Sequence, residues 1–232
     1  MSNNMIDLNK ELKYQTKIDN KIYNDTILSG KIHESLEDPV SQSLYDISEM
    51  VSPTLYDLGI TPNMVTTTRL LMTLVGFIYF FQNEYYRVSA LLFFASYFGD
   101  CLDGHMARKY NLETEFGDYY DHLADAMYMI LSLYYISVNI HPEYDWLVIV
   151  LFILGFMSLV QIGCEERYLK MMGIGKDSGT LHGLSHICPK SLIDDHELDE
   201  LMEFSRLIGT GTFILIVTII IWNFRHLKNS VT

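Results

Sequence analysis

Residues 100–125 read DCLDGHMARKYNLETEFGDYYDHLAD and contain two closely spaced pairs of aspartates. Asp100 and Asp103 are three residues apart, and Asp121 and Asp125 are four apart, so each pair lies on one face of its own helix. Both pairs adjoin segments apolar enough to cross a bilayer, where a single carboxylate costs roughly 2.5–3.5 kcal/mol. Because four uncompensated carboxylates are too costly there, the pattern predicts a site for two divalent cations in a membrane protein.

Apolar windows of spanning length surround this stretch. They fall at roughly 64–82, 88–106, 120–140, 146–164 and 205–223. Each window is close to the approximately 20 residues that a helix needs to cross hydrocarbon. The sequence therefore predicts an all-α integral membrane fold, with the transmembrane domain at residues 61–225.

The segments outside that domain are polar or amphipathic. Residues 1–40 are rich in Asn, Asp, Lys and Glu and lack the apolar core of a signal peptide, so we expect a disordered cytoplasmic tail. Residues 41–60 are predicted to form an amphipathic helix at the membrane interface, the alternative being an ordinary soluble amphipathic helix. Its apolar residues are Leu44, Ile47, Met50, Val51, Leu55 and Leu58. Residues 226–232 are expected to be a C-terminal tail.

The distribution of basic residues predicts the orientation in the membrane. With residues 1–60 inside, the opposite loops hold little beyond Arg87. The basic residues on the inner side are Lys10, Lys13, Lys17, Lys21, Lys31, Arg108, Lys109, Arg167, Lys170, Lys176 and Lys190. The aspartate pairs then lie near the cytoplasmic ends of two neighbouring antiparallel spans, so we expect them to meet at one depth.

The aspartates belong to the pattern D-x2-D-G-x2-A-R-x8-G-x3-D-x3-D. Its eight fixed positions are Asp100, Asp103, Gly104, Ala107, Arg108, Gly117, Asp121 and Asp125. In these 26 residues the chain resembles class I of the CDP-alcohol phosphotransferase, or CDP-alcohol phosphatidyltransferase, family. The resemblance implies that a phosphoalcohol unit moves from a CDP-alcohol to an acceptor hydroxyl, with release of CMP.

The resemblance also implies a fold and an assembly. It indicates six spans around a polar cavity that faces the cytoplasm, commonly in a homodimer. Since five windows are clear, part of residues 165–200 would supply an irregular or re-entrant sixth segment. No nucleic-acid partner is expected. The membrane would be the endoplasmic reticulum in a eukaryote and the inner membrane in a bacterium.

By the same resemblance, Asp100, Asp103 and Asp121 are metal ligands, and Asp125 is a ligand that also serves as general base. Carboxylate oxygens are hard ligands that suit Mg²⁺ or Mn²⁺. Two such ions per site would bridge the pyrophosphate and stabilise the departing CMP.

The remaining fixed positions are predicted to bind the nucleotide. Gly104 and Ala107 leave room for a ligand at the helix surface, and Arg108 offers a fork for phosphate oxygens. Alone, these three residues are more typical of close helix packing and inner-side charge; the complete motif favours nucleotide binding. The other predicted nucleotide contacts are Gly117, Asn63 and Thr66. The last two follow the helix start Thr61-Pro62, where a cap and a first-turn proline are expected.

Two acceptor arrangements stay open. CDP-diacylglycerol can donate its phosphatidyl group to a soluble alcohol such as inositol, glycerol phosphate or serine. Alternatively, CDP-choline or CDP-ethanolamine can donate to diacylglycerol. The residues His105, Asn111, Thr114 and Phe116 resemble phosphatidylinositol synthases more than aminoalcohol enzymes.

A cation transporter is the alternative of another class, because intramembrane carboxylates also line transport paths. A transport path needs polar groups through the whole bilayer depth, whereas these aspartates cluster at one end. The sequence therefore favours the enzyme.

The other polar clusters are weaker candidates. Cys101, Cys164 and Cys188 are odd in number and lack C-x-x-C spacing, so we expect packed thiols and neither a disulfide framework nor a zinc site. The pattern of His182, His186 and Cys188 has no fourth ligand at a matching spacing. Residues 194–200 are predicted to be a solvated acidic face. Asp118 is a candidate for tuning the charge of the site without ligating metal. Candidates for contacting the acceptor are Glu165, Glu166 and Arg167, although these three are more typical of charges that extend to the membrane interface.

Overall fold

A computed structural model of the chain describes residue 32 and residues 36–171, 180–189 and 198–228. The helices are α1 (Pro39–Asp57), α2 (Pro62–Phe81), α3 (Tyr86–Lys109), α4 (Glu115–Asn139), α5 (Asp145–Met171), α6 (Leu198–Ser205), α7 (Thr210–Trp222) and α8 (Phe224–Leu227). Short 3-10 helices lie at Pro142–Tyr144, Thr180–His186 and Arg206–Ile208. No strand occurs within these ranges, which agrees with the predicted all-α fold.

Three helical stretches of the described chain are long and apolar enough to cross a membrane, namely Pro62–Phe81, Pro142–Met171 and Glu200–Trp222. Helices α3 and α4 have spanning length at 24 and 25 residues. Their aspartates, tyrosines and serines make them less apolar. Five to six spans therefore stay a prediction, with three supported by length and composition.

Helix α2 packs closely against α3 because two glycines remove side chains from the contact. A Cβ at Gly76 would lie 2.7 Å from the Phe93 ring, and one at Gly99 would lie 2.9 Å from the Cβ of Arg69. The aromatic core begins at this contact, with the ring centroids of Phe77 and Phe93 4.8 Å apart. The α2–α3 pair thus brings the middle of α2 against the part of α3 that carries the aspartates.

Helix α1 faces the protein with serines and with Leu44, which is buried in the hydrophobic core. Ser41, Ser48 and Ser52 are buried, whereas Ile47 and Met50 are exposed. The helix itself agrees with the prediction for residues 41–60. Its outward apolar face suits the membrane interface, and that location stays a prediction.

Asp38 joins the start of α1 to the start of α7. Its Oδ1 accepts from the backbone N–H groups of Val40 and Ser41 at 2.9 and 3.1 Å. Its Oδ2 accepts from the N–H of Thr212 at 3.1 Å. A Cβ at Gly209 would lie 2.7 Å from Asp38, so the glycine is what lets the two helix ends meet. One buried carboxylate therefore caps two helices.

The expectation that the cysteines are packed thiols is wrong for two of them. Cys164 and Cys188 form a disulfide, and Cys101 is a free, buried thiol. Cys188 comes 24 residues after Cys164 in the sequence, and the segment just before it packs against α5 because Gly163 has no side chain. A Cβ there would lie 2.5 Å from the carbonyl oxygen of Leu184. Since Cys188 is bonded, it is not free to join His186 in a metal site.

Several predicted features lie outside the described residues. They are residues 1–31 and 33–35 of the proposed tail, residues 172–179 and 190–197 of the proposed sixth segment and acidic face, residues 229–232, and the side chain of His182.

We predict that Asp38→Ala lowers the free energy of unfolding by about 2 kcal/mol, because helix caps contribute about 0.5–2 kcal/mol and a buried hydrogen bond is lost as well. The melting temperature in detergent should fall by about 4–8 °C. Ser43→Ala is the matched control, since Ser43 is exposed on the same helix and donates only to the Pro39 carbonyl oxygen. Equal melting of the two variants would contradict the role of Asp38.

Candidate metal and nucleotide site

The turn between α3 and α4 sets the two aspartate pairs against each other. Helix α3 ends in a Schellman motif, in which Leu112 N–H donates to the Ala107 carbonyl oxygen at 2.8 Å. Asn111 adopts the left-handed conformation that this motif requires, with φ 54°. Thr114 then caps α4 by accepting from the N–H of Gly117 at 3.0 Å. The chain thus reverses direction within a few residues.

As a result, three of the four aspartates meet. Asp100, Asp103 and Asp121 each offer one carboxylate oxygen, and these atoms lie within 4.8 Å of one another. Asp125 lies one turn further along α4, and its side chain is 47% exposed. We call these four residues the carboxylate cluster.

Arg69 of α2, which the sequence analysis did not single out, lies against all four carboxylates. Its Nη1 donates to Asp125 at 2.9 Å. Its Nη2 lies 3.1 Å from Asp100 and donates to Asp121. Its Nε lies 3.3 Å from Asp103. The Arg69 side chain is only 4% exposed, so the guanidinium is enclosed by the cluster.

The backbone around Arg69 is fixed by hydrogen bonds from two helices. Thr73 and Ser96 both donate to the carbonyl oxygen of Arg69 at 3.0 Å. Gly99 leaves the space that the Arg69 stem occupies. The guanidinium is therefore held in position by α2 and α3 together.

Thr66 lies one turn before Arg69 and supports Asp103. Its hydroxyl is 2.6 Å from Asp103 Oδ2, and the residue is buried. The structure thus brings the predicted nucleotide contact Thr66 to a predicted metal ligand. This arrangement fixes one carboxylate oxygen of Asp103 and leaves the other for a further partner.

The donor set fits a divalent cation of the Mg²⁺ class. The cluster consists of carboxylates from two facing helices, and three of their oxygens already lie at separations compatible with one ion. Described histidines and cysteines do not enter this group of ligand atoms. Hard oxygen ligands of this kind favour Mg²⁺ or Mn²⁺ over zinc.

Arg108 offers free donors one helical turn after Gly104 on α3. Its Nε and Nη2 are buried and have no hydrogen-bond partner within the described chain. The guanidinium lies 5.6 Å from the Tyr45 ring centroid. A Cβ at Gly104 would lie 3.2 Å from Arg108 Nη1, so the glycine keeps this fork accessible. Ala107 lies one residue before Arg108 and is partly exposed.

Gly117 and Asn63 meet at the starts of α4 and α2. A Cβ at Gly117 would lie 3.0 Å from Asn63 Oδ1 and 2.9 Å from Thr114 Oγ1. The predicted nucleotide contacts therefore lie at the same end of the bundle as the carboxylate cluster. The close contact explains why a larger residue is unsuitable at position 117.

The face of α3 opposite the cluster is tied to α1. His105 is fully buried, and its Nε2 lies 3.1 Å from both Ser52 Oγ and Glu49 Oε2. Lys109 donates to Glu49 at 2.6 Å. His105 therefore belongs to the α1–α3 contact, and α1 supports the helix that carries Asp100 and Asp103.

Glu37 lies beside this contact, close to Arg108. Burial, together with the charge of the neighbouring Glu165, raises the pKa of Glu37 to about 8. The backbone N–H of Asp38 and the charge of Arg108 oppose the shift.

Glu165 was considered as an acceptor contact, and the structure places it near Glu37. Asp118 lies against His122, whose Nδ1 is 2.6 Å from the Asp118 carbonyl oxygen.

Arg69 had a detectable signal in the sequence, because an ionisable residue inside an apolar window is a functional candidate by default. Its four partners are distant in sequence, so only the fold reveals them. Glu37, Arg108 and Glu165 lie close together in the structure, and no comparable pattern in the sequence indicated this.

Comparison with known proteins gives a consistent result. A family described as CDP-alcohol phosphatidyltransferase matches residues 59–224. The CDP-diacylglycerol–inositol 3-phosphatidyltransferase of Candida albicans is 22% identical over 188 residues, which cover 73% of this chain and 76% of the relative. A probable CDP-diacylglycerol–inositol 3-phosphatidyltransferase 2 of Arabidopsis thaliana is 28% identical over 121 residues, or 52% of this chain and 48% of the relative.

A shorter match has higher identity. The CDP-diacylglycerol–glycerol-3-phosphate 3-phosphatidyltransferase of Rickettsia typhi is 38% identical over 68 residues. The match covers 28% of this chain, and the chain spans 38% of the length of that relative.

We predict that Glu37→Gln stabilises the protein at alkaline pH. The folded pKa of about 8 lies above the ordinary value of 4.5, so the folded state keeps a proton that the unfolded chain releases. Stability should fall as pH rises from about 4.5 to about 8, and the variant should remove about 2–4 kcal/mol of this loss. Melting curves at pH 5, 7 and 8.5 measure the effect. The exposed residue Glu84 provides the control Glu84→Gln, and parallel curves for all three proteins would contradict the prediction.

Proposed function

The chain belongs to the CDP-alcohol phosphatidyltransferase family, and on this premise we propose that it transfers a phosphatidyl group from CDP-diacylglycerol to an alcohol hydroxyl, releasing CMP. The observation that carries the proposal is the convergence of motif aspartates from α3 and α4 at one end of the bundle. The names of the matched relatives all specify CDP-diacylglycerol as the donor.

In the proposed reaction the acceptor oxygen forms a bond to the phosphorus that bears diacylglycerol. The bond from that phosphorus to the bridging pyrophosphate oxygen breaks, and the bonding pair leaves with CMP. The proton of the acceptor hydroxyl passes to a base. Atoms and charges therefore balance without any oxidant or reductant.

We propose that each site holds two divalent cations, Mg²⁺ or Mn²⁺. Their ligands would be Asp100, Asp103, Asp121 and Asp125. When bound, such cations neutralise phosphate charge and make the phosphorus easier to attack. The chain's own contribution is to fix the ligands. Thr66 orients Asp103, and the short α3–α4 turn brings Asp121 to α3.

Asp125 is proposed as the base as well as a ligand. Its side chain is the most exposed of the four in the carboxylate cluster, at 47% against 22% for Asp100, 4% for Asp103 and 25% for Asp121. An acceptor hydroxyl can therefore reach it. Because a bound cation also acidifies the hydroxyl, a weak carboxylate base is sufficient.

The nucleotide would lie between Arg108 and the starts of α2 and α4. Arg108 has two unpartnered donors that suit phosphate oxygens. Gly104, Ala107 and Gly117 keep side chains out of this region, and Asn63 provides a polar edge. Helix starts favour anions because their first N–H groups are free.

Inositol is the proposed acceptor. The support is the Candida albicans relative, which covers most of the chain, together with the similarity of residues 103–117 to phosphatidylinositol synthases. Glycerol 3-phosphate is the second candidate, because the rickettsial relative has the higher identity over its short match. The cytoplasmic orientation and a homodimer complete the proposal.

The test is CMP release by the purified protein. We expect release from labelled CDP-diacylglycerol with inositol, less with glycerol 3-phosphate or serine, and none from CDP-choline with diacylglycerol. A chelator should stop the reaction, Mg²⁺ or Mn²⁺ should restore it, and Ca²⁺ should support it poorly because its coordination is looser.

Asp121→Asn should lower turnover at least about 100-fold while the protein still melts cooperatively, since it removes ligand charge without removing volume. Asp145→Asn is the matched control, because Asp145 is an exposed aspartate at the far end of α5. Full turnover in metal-free buffer, or normal turnover of Asp121→Asn, would overturn the proposal. Cation flux into liposomes without CMP release would favour the transporter instead.

A further inference from the structure

We propose that Arg69 is the resident counter-cation of the carboxylate cluster. It neutralises and spaces the four aspartates when no divalent cation is bound, and it competes with such cations for their oxygens. This inference rests on the metal-binding part of the proposed function. It assigns to Arg69 a positioning role that acts through Asp100, Asp103, Asp121 and Asp125.

The contacts of Arg69 carry the proposal. Its three nitrogens contact one oxygen of each of the four carboxylates, at distances that include 2.9, 3.1 and 3.3 Å. Four carboxylates so close together repel one another strongly where water is scarce. A positive charge at their centre offsets part of that repulsion and leaves the cluster with a net negative charge that still attracts a divalent cation.

Arginine suits this position better than lysine would. The guanidinium is planar and presents donors in several directions, whereas an ammonium group is a compact point charge. The Arg69 stem also fills the space left by Gly99, and its backbone is held by Thr73 and Ser96. Arg69 is therefore built into the α2–α3 contact, with only its tip facing the cluster.

Neighbouring cations do not duplicate the role. Lys109 contacts Glu49 on the opposite face of α3, at 2.6 Å. The Arg108 guanidinium lies over the Tyr45 ring. Within the described chain, the permanent positive charge that contacts all four carboxylates is thus that of Arg69.

A divalent cation uses the same kind of oxygen and carries more charge, so binding should weaken some of the Arg69 contacts. Removing Arg69 should then lower the stability of the metal-free protein more than that of the metal-bound protein. Thermodynamic linkage makes this equivalent to tighter metal binding by the folded variant.

The experiment compares thermal melting of wild type, Arg69→Met and Arg87→Met, each in EDTA and in saturating Mg²⁺. Arg87 is the matched control, since it lies outside the carboxylate cluster and its guanidinium lies 5.4 Å from the Trp222 ring centroid. We expect Mg²⁺ to raise the melting temperature of Arg69→Met by about 3–6 °C more than it raises that of wild type or Arg87→Met. An equal Mg²⁺ shift in all three proteins would overturn the proposal. Loss of packing alone would lower the melting temperature in EDTA and in Mg²⁺ by the same amount.

Mn²⁺ titration followed by electron paramagnetic resonance gives a second readout. We expect Arg69→Met to bind Mn²⁺ roughly tenfold more tightly than wild type. Arg69→Lys keeps a charge and is the variant to use if Arg69→Met does not fold. It should show a larger Mg²⁺ shift than wild type, and an unchanged or smaller shift would contradict the proposal.

These readouts use metal alone and do not depend on turnover. Absence of CMP release together with the predicted Mg²⁺ shifts would reject the proposed reaction and keep the role of Arg69. Normal CMP release with equal Mg²⁺ shifts in all variants would reject the role of Arg69 and keep the reaction.

Discussion

The repulsion among four carboxylates beside the apolar part of the bundle is the constraint on which the rest of the structure depends. Asp100, Asp103 and Asp121 present oxygens within 4.8 Å of one another, an arrangement that persists only when positive charge is close. Arg69 supplies such a charge from a third helix. The same repulsion would give the cluster the affinity for divalent cations that we propose, so the cost of assembling the site and the proposed capacity to bind metal have one origin.

The surrounding fold serves to hold these charges in place. Close packing at Gly76 and Gly99 brings α2 to α3, and a Schellman turn brings α4 back against α3. Helix α1 then supports the outer face of α3 through His105 and Lys109. Small residues and short turns therefore determine the geometry of the site as much as the aspartates do, because each of them sets the distance between two helices.

Local features of the fold could be predicted from the sequence, and contacts between distant residues could not. The helix starts at Thr61-Pro62, the helices themselves and the convergence of aspartates from α3 and α4 follow from spacing, capping and hydropathy. The Cys164–Cys188 bond was missed because it depends on how the segment before Cys188 folds over Gly163. Arg69 lay in an apolar window where its charge was a usable signal, yet its four partners are known only from the packing of α2. The burial of Glu37 beside Glu165 likewise requires the assembled fold.

The most direct measurement is the position of Mn²⁺ in crystals of the protein, located by its anomalous scattering. The account predicts a Mn²⁺ peak within about 2.1 Å of oxygens from Asp100, Asp103 and Asp121, with Arg69 no longer contacting all four carboxylates. Crystals of Asp121→Asn should lose or weaken the peak. Saturating Mn²⁺ with no peak at the cluster, and Arg69 still in contact with every aspartate, would contradict the account.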